Sequence, residues 1–142
     1  MEILLVEKDA LTRDHLKVGL QQFPEFQVTV GQGYRGINEL RSQSFDCVFL
    51  GVDPRDPESI AVLQHMRSFD NTTELVVLTS PRSVKDMAGD KAKWDIYTFL
   101  QTPIDPKELC EFVGRFLERH AGRDHGVRKA HRAPRGAARP TN

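Results

Sequence analysis

The 142-residue chain has little cysteine, no excess of either charge and no long apolar run. Each shortage narrows what the chain can be. Its two cysteines, Cys47 and Cys110, stand singly inside apolar stretches. Without a C-x-x-C pair or a His/Cys cluster at zinc spacing, no zinc site is expected. Both thiols read as small buried residues suited to a reducing cytoplasm. The apolar run in MEILLVEKD is broken by charge too early for a signal peptide or a membrane span, so a cytoplasmic protein with no membrane partner is expected.

The 20 basic and 20 acidic side chains cancel overall but not locally. Residues 121–142 hold six basic side chains and one acid, Asp124, a net of +5 that leaves −5 on residues 1–120. Apolar periodicity also stops at about residue 120. Residues 1–120 are therefore expected to form one domain, and 121–142 a basic, disordered tail or linker.

Within the first 120 residues, short apolar runs alternate with helical patterns. Strands are predicted over 3–6, 26–30, 45–50, 75–79 and 96–101, apolar on consecutive residues as strands covered on both faces should be. Helices are predicted over 10–22, capped by Asp9 and stopped by Pro24, and over 34–43, a weaker pattern. A third runs over 57–69, with Asp56 as cap, Pro57 at the first position and Ile60, Leu63 and Met66 at helical spacing. The stretch 82–93 is the poorest, weakened by Gly89. The last helix is clearest: Asp105 caps it, Pro106 opens it, and Leu109, Phe112, Val113, Phe116 and Leu117 share one face. This (βα)₅ order implies right-handed crossovers and an α/β fold, a doubly wound five-stranded parallel sheet with helices on both faces. His15 and His65 read as structural histidines. GQGYRG at 31–36 opens the second helix after an edge-like strand, and no nucleotide site is assigned to it.

Four segments in order carry a resemblance: ILLVEKDALTR, FDCVFLGVDP, LVVLTS and YTFLQTPIDPKEL. Over residues 1 to about 120 the chain resembles a response-regulator receiver domain, the CheY-like fold of two-component signalling. The resemblance implies strand order 2-1-3-4-5. It also implies five polar groups at the strand ends: two acids and an aspartate holding Mg²⁺, the aspartate doubling as phosphoacceptor, with a hydroxyl and a lysine steadying the phosphoryl group. Here Glu7 matches the first acid and Thr79 the hydroxyl. Lys8 falls on the second acid, Gly51 on the phosphoacceptor and Thr102 on the lysine. Phe99 matches the switch aromatic.

The expected function follows from that departure. A strand whose tip offers no carboxylate cannot be phosphorylated there, so the chain reads as a degenerate pseudo-receiver with no catalytic residue, metal or cofactor. Lys8 is expected to pair with Glu7 and neutralise the pocket. Signalling, localisation or scaffolding is expected through contact with another signalling or scaffold protein, or with a second copy. The expected docking face is that of the fourth helix, fifth strand and fifth helix, with Trp94, Tyr97 and Phe99; Trp94 reads equally as cover for the end of a weak helix. Two alternatives stand beside this reading. One is a receiver phosphorylated at an atypical acid, Asp53. The other is a nucleic-acid-associated regulator whose tail, through Arg128, Lys129, Arg132, Arg135 and Arg139, makes weak, non-specific contact with polyanions.

Overall fold

Three helices begin where capping chemistry starts them. Asp9 accepts from the Thr12 N–H (2.9 Å), Asp56 from Glu58 (3.1 Å) and Ser80 from Ser83 (3.2 Å), each satisfying a donor that the first turn leaves open. Pro57 and Pro81 occupy first-turn positions where no N–H is missed. The structure, a computed structural model, describes residues 1–123. Its elements run β1 (Glu2–Val6), α1 (Ala10–Gln21), β2 (Gln27–Gly31), α2 (Gly33–Ile37), β3 (Cys47–Gly51), α3 (Pro57–Phe69), β4 (Glu74–Thr79), α4 (Pro81–Met87), β5 (Thr98–Gln101) and α5 (Pro106–Arg123). Single 3₁₀ turns extend α2 over Asn38–Arg41 and α4 over Ala88–Asp90. The two helices that read weakest in sequence are thus the two that tighten and stop early.

All five strands are parallel, in the order β2-β1-β3-β4-β5, the flavodoxin-like arrangement of the doubly wound class. Register pairs Val6 with Leu50, Gly51 with Leu78 and Thr79 with Gln101, so the ends of β1, β3, β4 and β5 lie along one edge. Ile3, Leu4, Leu5, Leu75, Val76 and Val77 are wholly removed from water. Each such side chain contributes roughly 1.5–3 kcal/mol of hydrophobic stabilisation. That burial explains why the strands read as unbroken apolar runs.

Two close approaches shape the frame. A Cβ on Gly31 would lie 2.6 Å from the Gly36 Cα, and one on Gly36 would lie 2.8 Å from the Gly31 carbonyl carbon. Gly31, Gly33 and Gly36 have the G-x-G-x-x-G spacing of a dinucleotide-binding turn, yet the helix that they open has five residues. The outer two glycines serve packing of β2 against α2.

The second feature is Arg67 on α3, 7% exposed. Its guanidinium donates to the carbonyls of Trp94 (2.8 Å), Asp95 (2.9 Å), Asp70 (2.9 Å) and Thr73 (3.1 Å). Asp95 takes a left-handed backbone (φ 52°) within this clamp. One side chain therefore fixes the loop before β5 to the C-terminal end of α3.

Met1–Asp105 form one compact unit and Pro106 begins another. In the second, α5 stacks Phe112 on Phe116 (centroids 5.6 Å apart) and sets His120 against Phe116 at a tilt of 40° (4.0 Å). The helix continues to Arg123, three residues past the boundary expected at 120. Cys110 lies off the apolar stripe and is exposed, contrary to its expected burial, while Cys47 is buried in β3. No helix among the described residues is long and apolar enough to cross a membrane.

Candidate functional site

A cleft of about 320 Å³ opens at the strand-end edge. The register brings all five positions matched by the family resemblance to it: Glu7, Lys8, Gly51, Thr79 and Thr102. The Thr102 N–H donates to the Thr79 carbonyl (2.9 Å), tying the end of β5 to that of β4. All five therefore line one cleft at the ends of the strands.

Its chemistry turns on Glu7 and Gly51. A Cβ built on Gly51 would collide with the Glu7 carboxylate, 2.6 Å from Cδ and 2.9 Å from Oε2. The space that a side chain at position 51 would need is filled by the carboxylate of a neighbouring strand's loop. Glu7 Oε2 accepts from the Asp9 N–H (3.0 Å). Burial pushes the Glu7 carboxyl above its ordinary pKa, opposed in part by that N–H.

Lys8 does not pair with Glu7 as expected. Its ammonium reaches across the mouth of the cleft to Asp56 Oδ2 (2.5 Å), the cap of α3. Successive residues leaving a strand point to opposite sides, so Lys8 turns outward where Glu7 turns in. Hydrogen bonding to Asp56 raises the Lys8 pKa and lowers that of Asp56. The pair joins the loop after β1 to the loop after β3 from the solvent side.

Asp53 is exposed and turned back on its own loop. Its Oδ1 accepts from the Arg55 N–H (2.9 Å) and lies 3.7 Å from Arg55 Nε. Ser59 Oγ accepts from the Asp53 N–H (2.9 Å). Mg²⁺ requires near-octahedral oxygen ligands, usually including one or two carboxylates. The cleft offers one inward carboxylate, already engaged by an amide, and no group of three His, Cys, Asp or Glu side chains suited to a metal occurs among the described residues. The donor set does not fit Mg²⁺.

The expected docking residues lie elsewhere. Trp94 and Phe99 are partly buried and pack against the hydrophobic core. The Lys93 ammonium sits 4.8 Å from the Trp94 ring centroid. Tyr97 is half-buried and its N–H donates to the Leu75 carbonyl (2.8 Å). Arg128, Lys129, Arg132, Arg135 and Arg139 lie outside the described residues. Sequence reasoning missed Arg67. Its signal was a basic residue four positions after Leu63, on the apolar stripe of α3.

No protein-family model matches the chain. It is 30% identical over 124 residues to the response regulator protein PmrA of Pseudomonas aeruginosa, a match covering 87% of this chain and 55% of that protein. The chain thus spans about half the length of that relative. Among solved structures it resembles chemotaxis protein CheY4 of Vibrio cholerae, with a TM-score of 0.66, 20% identity and coverage of 80% and 96% of the two chains. It also resembles a member of a streptococcal family of redox sensors evolved from two-component response regulators. That match has a TM-score of 0.71 and 14% identity, covering 87% of this chain and 53% of the other. These structural likenesses concern the fold.

Proposed function

Since the chain carries a receiver domain of the response-regulator type, we propose that it works without phosphorylation, as a protein–protein interaction module in cytoplasmic signalling, localisation or scaffolding. One observation carries this reading: the Glu7 carboxylate occupies the space above Gly51. A glycine offers no oxygen to attack phosphorus, and the plug leaves no room for one. Lys8, committed to Asp56, supplies a cation where the family places a metal ligand. The streptococcal redox sensors are a precedent for turning this fold to another input.

Contact is proposed through the face bearing Trp94, Tyr97 and Phe99, whose backbone Arg67 holds in place. The partner is another signalling or scaffold protein, or a second copy of the chain.

Incubation with acetyl phosphate and Mg²⁺, read by intact mass, tests the first half of the proposal. No phosphate adduct is expected. An adduct abolished by Asp53→Asn would replace this reading with phosphorylation at an atypical acid. Affinity capture from the native cell tests the second half: a Trp94→Ala/Tyr97→Ala variant should lose the partners that the parent retains.

A further inference from the structure

Beyond the loss of phosphotransfer, the cleft presents two acceptors with no side-chain donor of their own among the described residues. Thr79 is 5% exposed and lines the cleft, and its hydroxyl has no hydrogen-bond partner among the described residues. Glu7 is the second. Its carboxylate receives a backbone N–H at Oε2, and no basic side chain among the described residues pairs with it. A hydroxyl and a carboxylate can each accept more than one hydrogen bond, so both keep lone pairs for a donor that enters the cleft.

The charge of the lining selects the sign of a ligand. Glu7, Asp9 and Asp53 outnumber Lys8 and Arg55, and both cations are already engaged, by Asp56 and Asp53. An anion would meet the Glu7 carboxylate and find both lining cations already engaged. A divalent metal would find too few oxygens. A primary ammonium group carries one positive charge and three N–H donors, matching one carboxylate and one hydroxyl with a donor to spare for water. Thr102, on the same wall, contributes no ammonium of its own. The volume of about 320 Å³ suits a small molecule.

We propose that this cleft binds the ammonium group of a small aliphatic amine, held by the Glu7 carboxylate and the Thr79 hydroxyl. The site rests on the reading of Gly51 as a position that is not phosphorylated. It gives the domain a small-molecule input at the edge where receivers take a phosphoryl group.

The test is titration of the full chain with ethanolamine and ethylammonium at constant ionic strength, followed by amide NMR shifts and calorimetry. Saturable shifts at the Gly51, Thr79 and Thr102 amides are expected. Tetramethylammonium, which keeps the charge but has no N–H, should bind at least about tenfold more weakly. Glu7→Gln should weaken ethanolamine binding by about tenfold or more, and the near-isosteric Thr79→Val by roughly three- to tenfold. Non-saturable shifts, equal binding of tetramethylammonium, or unchanged affinity in both variants would overturn the site. Acetyl phosphate labelling is read separately. An adduct would refute the phosphorylation-independent reading, whereas absent amine binding without an adduct refutes this site alone.

Discussion

The Glu7 carboxylate rests against the Cα of Gly51, with Cδ 2.6 Å from the point that a Cβ would occupy. Gly51→Ala should therefore cost about 1 kcal/mol, moderated because the obstacle is the far end of a flexible side chain. In a Glu7→Ala background the sign should reverse. With the obstacle gone, alanine in a strand should gain about 0.5–1 kcal/mol over glycine. Denaturant unfolding of the four proteins in this cycle gives the coupling directly. Additive effects would mean that the two residues do not compete for one space.

Glu7 also sets a pH dependence. Burial raises its folded-state pKa above the ordinary 4.5, so the fold prefers the protonated acid. The stabilisation is fully present below pH 4.5 and is lost as pH rises through the folded-state value. Glu7→Gln should be more stable than the parent at pH 7, and the gap should close on acidification below 4.5. Unfolding curves between pH 3.5 and 7 measure it. A gap that widens toward acid would show that the Asp9 N–H, not burial, governs this group.

The Lys8–Asp56 pair should behave in the opposite sense on the acid side. Hydrogen bonding to Lys8 lowers the Asp56 pKa below 3.8, so its contribution is present above that value and fades as pH falls through the folded-state pKa. Lys8→Met should cause a small loss of Tm at neutral pH, largest at low salt because the pair is exposed to screening. The loss should shrink as pH falls below 3.8 and through the lowered folded-state pKa of Asp56. Thermal melts at two ionic strengths check this.

Arg67 should be among the costliest positions to change. Arg67→Met leaves four carbonyls without their donor, a loss of about 2–4 kcal/mol. Arg67→Lys should recover little of it, since one ammonium cannot span the acceptors served by a planar fork. Trp94 is the sole tryptophan, so its emission reports on the loop. A red shift and easier quenching in Arg67→Met below the unfolding transition are expected. An unchanged Trp94 spectrum would mean that the clamp does not hold this loop.

Glycines divide by surroundings. Gly36→Ala drives a Cβ to 2.8 Å from the Gly31 carbonyl carbon, against backbone that cannot turn aside, and should cost about 1–3 kcal/mol. Gly114→Ala in α5 meets nothing within 4 Å and should stabilise by about 1 kcal/mol. Denaturation midpoints of the two variants should move in opposite directions.

These contrasts show how far the sequence could be read. Strand order, the Asp9 and Asp56 caps and the gathering of Glu7, Lys8, Gly51, Thr79 and Thr102 were legible, because periodicity, capping and family spacing are local signals. The partner of Lys8 was not. Asp56 is 48 positions away, and only the fold brings the two together. Burial of Cys110 was misjudged because a single apolar-looking position says little about which side of the helix faces water. The contact of Glu7 with Gly51 depends on ångström-scale register between two strands, which no pattern of residue types encodes.

Helix α3 is fastened near both ends: Asp56 at its start holds Lys8, and Arg67 near its finish grips the backbone at Trp94 and Asp95. It is thus a strut between the rim of the cleft and the loop leading into β5. A load applied at either fastening must travel along a rigid thirteen-residue rod to the other.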